Sequence, residues 1–205
     1  MRIGIDFDNT IAGYDALFAR IGTEAGWLEP GFQGRKKAVR DRVRLLPNGE
    51  WSWMTIQAQV YGPRMAEACL IDGVASFLDA CRIHGREVVI VSHKTRFAAA
   101  DPNGIDLRQA ALNWMEAQGF FRADGFGLDR RNVHFADSRV AKCTCIGRLG
   151  CTLFIDDLEE VFRDPAFPPE VGRFLFDPGN ASSPDMPWRV FSDWASLTEA
   201  ALAYG

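Results

Sequence analysis

Short apolar runs alternate along this chain with longer amphipathic stretches, and the runs stop at polar residues. Ile3-Gly4-Ile5 stops at Asp6, Val88-Val89-Ile90-Val91 at Ser92, and Thr152-Leu153-Phe154-Ile155 at Asp156-Asp157. Apolar runs of this length, bounded by turn residues, predict buried strands, whereas the stretches between them carry helical spacing. Helices are expected from about Gly73 to His84, from Asp106 to Gln118 with Gly119 as a stop, and from Ser138 to Leu149. Further strands are expected over Asn132 to Ala136, Arg173 to Phe176 and Arg189 to Phe191, the last two set between Pro-rich turns. The alternation predicts an α/β fold, a Rossmann-like doubly wound parallel sheet with helices on both faces and right-handed crossovers.

One segment breaks the alternation. Residues 13–70 are too long for an ordinary crossover and too helical and aromatic for a disordered loop, so they predict a small helical cap. The core is then expected from 1–12 and 71–205. Within the cap segment Arg35, Lys36, Lys37, Arg40, Arg42 and Arg44 form a basic run, followed by Trp51, Trp53, Gln57 and Tyr61 at near-helical spacing. These sets suit an anionic substrate, or else a solvated helix face and the segment's own core.

Composition narrows the function classes. The 205 residues, 47% hydrophobic, are enough for a substantial buried core. A formal charge of −4 argues against a protein that grips nucleic acid backbone and fits a small-molecule substrate better. No apolar stretch approaches the roughly 20 residues that span a bilayer, and the N-terminus enters a strand at once, so a cytoplasmic location is expected. The five cysteines, at 69, 81, 143, 145 and 151, lack paired metal or disulfide spacing and predict free thiols. Cys143 and Cys145, two apart on an expected helix, point to opposite sides.

The chemistry concentrates at the strand ends. Asp6 and Asp8 are alternate residues where the first strand gives way to a loop, so their carboxylates project together. Such a pair repels unless a cation or a shared proton compensates it, which points to a divalent metal with oxygen ligands. Ser92, Lys142 and Asp156-Asp157 stand at or near other strand ends, the edge where open α/β sheets bind ligands.

Taken in order, the Asp6-Phe7-Asp8-Asn9-Thr10 loop, the strand ending in Ser92, Lys142 and the strand ending in Asp156-Asp157 resemble the four motifs of the haloacid dehalogenase-like (HAD) superfamily. The resemblance spans most of the chain and implies a Mg²⁺-dependent phosphohydrolase. It implies that Asp6 is the nucleophile, forming an aspartyl-phosphate, and Asp8 the general acid and base. It further implies Mg²⁺ held by Asp6, the Asp8 carbonyl and Asp156, with Asp157 as a ligand or a supporting group. Ser92 and Lys142 would cradle the phosphate, and Thr10 would brace the first loop beside it. Lys94 is a rival for the lysine role, although Lys142 better fits the family order. Asp8 favours phosphoryl transfer over carbon–halogen cleavage, since dehalogenases lack that aspartate.

The implied substrate is a small phosphorylated metabolite, a sugar phosphate or a nucleoside monophosphate. A phosphomutase uses the same motifs and stays open, and a non-catalytic phosphate-sensing module is a further alternative. Among the histidines, His93 neighbours the phosphate site, His84 reads as a helix end, and His134 is assigned no chemistry. Asp137 reads as part of a strand-to-helix turn and cap. Oligomeric state is not legible in the sequence.

Overall fold

The apolar runs become strands and the amphipathic stretches helices, in a computed structural model that describes residues 1–179 and 186–204. The chain begins with β1 (Arg2–Ile5) and a short β2 (Ala12–Gly13), then makes three helices, α1 (Asp15–Glu24), α2 (Lys36–Arg44) and α3 (Gly49–Tyr61). A short β3 (Cys69–Leu70) pairs with β2. Then come α4 (Val74–Ile83), β4 (Glu87–His93), α5 (Leu107–Ala117), β5 (Val133–Ala136), α6 (Arg139–Arg148) and β6 (Leu153–Asp156). The one-turn α7 (Glu159–Phe162), β7 (Gly172–Phe176), β8 (Arg189–Phe191) and α8 (Trp194–Leu202) complete the chain. The turn expected between β7 and β8 falls partly on 180–185, outside the described residues.

Six strands form one sheet in the order β5-β4-β1-β6-β7-β8, and every neighbouring pair is parallel. The chain builds outward from β1 through β4 to β5, then crosses to the far side of β1 for β6, β7 and β8. That reversal beside β1 is a topological switch point, where the carboxyl ends of strands open a crevice. Both faces of the sheet are covered, as a parallel sheet requires. Val89 and Val91 pack in a cluster with Cys143, Ile146, Phe154, Phe162 and Phe167, while Val88 and Ile90, which alternate with them, are also buried.

Close side-chain contacts explain two of the glycines. A Cβ on Gly4 would meet the Phe154 ring at 2.4 Å, so that ring lies against β1 only because position 4 is bare. Gly73 stands at φ +91 before α4, and a Cβ there would lie 2.5 Å from Cβ of Trp194. Helix α8, whose turn signals went unread in the sequence, is capped by Asp193, which accepts from the Ser196 N–H at 2.8 Å. Its Trp194 ring packs against Phe77 and Phe176 at centroid distances of 4.9 and 5.5 Å.

The chain divides into two compact units. The first comprises Met1–Ala12, Leu70–Lys94 and Gln118 onward, and holds the six-stranded sheet. The second comprises Gly13–Cys69 together with Thr95–Ala117. The sequence reading assigned the whole of 71–205 to the core, and here the structure differs. Helix α5 belongs with the second unit because its Trp114 indole donates to the Ala68 carbonyl at 3.0 Å, and Leu107 packs beside Gly62. An amphipathic helix declares an apolar face, and nothing in its spacing names the surface that the face meets.

The second unit has a core of its own. Trp53 stacks on Phe18 with centroids 5.2 Å apart, and Tyr14 and Tyr61 meet edge to face. In α2 the buried positions are Val39 and Val43, and the arginines lie on the solvated side. Arg40 pairs with Asp41, Arg42 with Glu29 and Arg44 with Glu50, so acids already neutralise half of the basic run. Trp51 is exposed and Trp53 buried.

Candidate active site

Asp6 lies one residue beyond β1 and prolongs its pairing with β6, because its N–H donates to the Ile155 carbonyl at 2.8 Å. The chain then turns sharply. The Ile11 and Ala12 N–H groups both donate to the Phe7 carbonyl at 3.0 Å, and Asn9 takes a left-handed φ of 60°, which asparagine tolerates. Thr10 is buried beneath this turn, where its carbonyl accepts from the Trp194 indole at 3.2 Å. Its hydroxyl is buried without a hydrogen-bond partner among the described residues.

Lys142 sits in the first turns of α6, whose Ser138 cap accepts from the Ala141 N–H at 3.1 Å. The residue is 1% exposed, which a lysine tolerates only when its charge is met. Here the ammonium donates to Asp6 Oδ1 at 2.5 Å and to Asp156 Oδ2 at 2.7 Å. Asp156 ends β6 and also accepts, through Oδ1, from the Leu158 N–H at 3.0 Å. Asp157 follows, half-buried, and offers a carboxylate oxygen within 4.8 Å of oxygens from Asp6 and Asp156.

Asp8, partly buried, is held from β4. Lys94 Nζ donates to Asp8 Oδ1 at 2.9 Å and Ser92 Oγ to Oδ2 at 3.4 Å. Ser92 and Lys94 are alternate residues at the end of one strand and are both buried, whereas His93 between them is exposed. Sequence reasoning treated Lys94 as a competitor for a single lysine position. The structure brings both lysines to the site on different carboxylates, and the i, i+2 relation of Lys94 to Ser92 was the signal for it. His84 stands at the end of α4, and the half-buried His134 is held below its ordinary range, chiefly by burial and also by Arg148 and Arg2.

Electrostatics set what this cluster can do. Burial pushes the Asp6 carboxyl up to about 7, and the Asp156 and Asp8 carboxylates add to the rise against the opposing pull of Lys142. Burial also raises Asp156. For Lys142, burial alone would lower its value, yet Asp156 and Asp6 hold the ammonium above its ordinary range. Once ionised, the carboxylates of Asp6, Asp8, Asp156 and Asp157 would exceed the ammonium groups of Lys94 and Lys142 by two charges. The excess matches one divalent cation. Three close carboxylates are hard oxygen donors of the kind such a cation takes, so the donor set fits a divalent metal.

No family model and no curated protein matches the sequence. Solved structures do match the fold. A HAD family hydrolase from Deinococcus radiodurans R1, with bound phosphate and sodium, is similar with a TM-score of 0.59 at 16% identity, covering 98% of this chain and 96% of that one. The chain has the haloacid dehalogenase-like fold. YfnB from Bacillus subtilis, described as a HAD-hydrolase bound to magnesium, is similar with a TM-score of 0.59 at 11% identity, covering 97% of each chain. A phosphoserine phosphohydrolase-like protein from Francisella tularensis is similar with a TM-score of 0.53 at 12% identity, covering 97% of this chain and 98% of that one. Among the described residues no helix is long and apolar enough to cross a membrane.

Proposed function

We propose that the chain is a Mg²⁺-dependent phosphohydrolase that acts on a small phosphorylated metabolite through an aspartyl-phosphate on Asp6. The observation that carries this reading is the division of carboxylates at the β1 edge. Asp6 shares a buried ammonium with Asp156, while Asp8, two residues on, is held separately by Lys94 and Ser92. That division supports a reading in which one carboxylate is the nucleophile and the other the proton carrier. The phosphate in the Deinococcus structure and the magnesium in the Bacillus one support the same chemistry on the same fold.

Mg²⁺ would be held by Asp6, the Asp8 carbonyl and Asp156, with Asp157 as a ligand or a support for one. When bound it supplies charge neutralisation to the phosphoryl oxygens. Asp6 attacks phosphorus in line with the departing oxygen, and Asp8 delivers a proton to that oxygen. Asp8, now a carboxylate, takes a proton from the water that hydrolyses the aspartyl-phosphate. Lys142 offsets charge on the nucleophile and the transferring group, and the Ser92 hydroxyl donates to a phosphoryl oxygen. Thr10, enclosed under the loop, keeps Asp6 and Asp8 in register. The second unit, made of Gly13–Cys69 and Thr95–Ala117, would supply substrate selection, for a sugar phosphate or a nucleoside monophosphate.

A panel of phosphorylated metabolites assayed for phosphate release tests the reading. Turnover should require Mg²⁺ and disappear in Asp6→Asn. Metal-independent turnover, or an active Asp6→Asn protein, would refute it.

A further inference from the structure

The four-motif pattern contains one lysine, and in this chain Lys142 fills that place against Asp6 and Asp156. Lys94 is a second buried lysine at the same edge, 5% exposed, with its ammonium 2.9 Å from the carboxylate of Asp8. It arrives from a different element. Its main chain continues the pairing of β4 with β5, donating to the Ala136 carbonyl at 3.0 Å, so the base of the side chain is fixed by the sheet. The ammonium also lies 5.8 Å from the centre of the buried Phe7 ring, which limits its movement on that side.

We infer that Lys94 is a positioning residue for the acid/base carboxylate, holding Asp8 in one orientation from β4 while Lys142 serves the nucleophile. This rests on the phosphohydrolase reading and goes beyond it, because a lysine two residues after the strand-ending serine has no place in that reading. Asp8 stands in a turn and has several rotamers open to it. Paired with Lys94 through Oδ1, it is held in one orientation, so Oδ2, released when the Ser92 hydroxyl turns to the phosphoryl group, is left to carry the proton to the leaving oxygen. The proton moves between Asp8 and the leaving oxygen, and Lys94 keeps its own. Lys94 therefore acts through Asp8 and not on phosphorus.

A residue acting through a general acid matters in proportion to how much the leaving group needs a proton. Phenyl phosphate and p-nitrophenyl phosphate have similar size and charge, but phenolate is much the poorer leaving group. The quantity to compare is kcat/KM with Mg²⁺, which includes departure of the alcohol and excludes later hydrolysis of the phosphoenzyme. Asp8→Asn should lose on the order of 10²–10⁴-fold on phenyl phosphate and far less on p-nitrophenyl phosphate. Lys94→Met should show the same discrimination in smaller measure, roughly tenfold greater loss on the phenyl ester, and Lys94→Arg should restore much of it. In an Asp8→Asn background, Lys94→Met should add almost nothing.

Equal losses on both esters, or a full further loss in the double variant, would show Lys94 acting on the phosphate directly and overturn the inference. If Lys94→Met does not fold, Lys94→Leu carries the same comparison, since it also removes the donor to Asp8. Absence of wild-type turnover on both esters would overturn the phosphohydrolase reading, and this role with it.

Discussion

Replacing Lys142 by methionine tests the electrostatic core of the site, because it removes the charge while keeping nearly the same volume. Lys142 is 1% exposed and its ammonium contacts Asp6 at 2.5 Å and Asp156 at 2.7 Å, so without it two buried carboxylates face each other. Removing one partner of a buried ion pair costs about 3–5 kcal/mol, a large part of the roughly 5–15 kcal/mol that holds a domain folded. In a chain of this size that corresponds to a fall in melting temperature on the order of 10 °C. Urea unfolding at pH 7.5 without metal is the assay. The loss should shrink at pH 5, where Asp6, pushed up by burial to about 7, takes up a proton instead. Mg²⁺ at a hundredfold excess over its Kd should stabilise either protein by about 2.7 kcal/mol. Turnover should remain depressed by about 10²–10³-fold, the usual cost of a lost stabilising donor. Stability within about 1 kcal/mol of wild type at pH 7.5 without metal would refute the reasoning.

Other consequences follow from the same structure. Asp6 is raised from 3.8 to about 7 in the metal-free fold, so its contribution to stability is present below pH 4 and is lost as pH rises to 7. Metal-free urea midpoints should therefore fall across that window and level off above it, and Mg²⁺ affinity measured by calorimetry should strengthen over the same range. Gly73→Ala forces a side chain into a left-handed φ and onto Trp194, and should cost about 1–3 kcal/mol in unfolding experiments. In the second unit, Trp53→Ala should cost about 3–5 kcal/mol, since the ring is buried against Phe18, and Trp51→Ala no more than about 0.5 kcal/mol.

The sheet was legible because buried parallel strands are short apolar runs, and those of β1, β4 and β6 end abruptly at Asp6, Ser92 and Asp156. The capped helix α6 was equally visible, opened by Ser138 and carrying Lys142. Long-range partnership was not. Helix α5 is expected in the core because its spacing shows an apolar face and not its destination, the Ala68 carbonyl and Gly62. Lys94 was read as an alternative to Lys142 because motif order treats a lysine as filling one slot, whereas strand alternation places Lys94 with Ser92 on Asp8. Arg40, Arg42 and Arg44 looked free for an anion until their acids came from Asp41, Glu29 and Glu50.

The central claim is that Asp6 becomes covalently phosphorylated, and acid-quenched single turnover examines it most directly. The Mg²⁺-loaded protein is mixed with p-nitrophenyl phosphate, quenched within the first turnover and digested, and the peptides are read by mass spectrometry. The account predicts one phosphoryl group on the N-terminal peptide at Asp6, accumulating in Asp8→Asn, where hydrolysis is slowed. Product formation without any phosphorylated peptide, or a phosphoryl group on another residue, would contradict it.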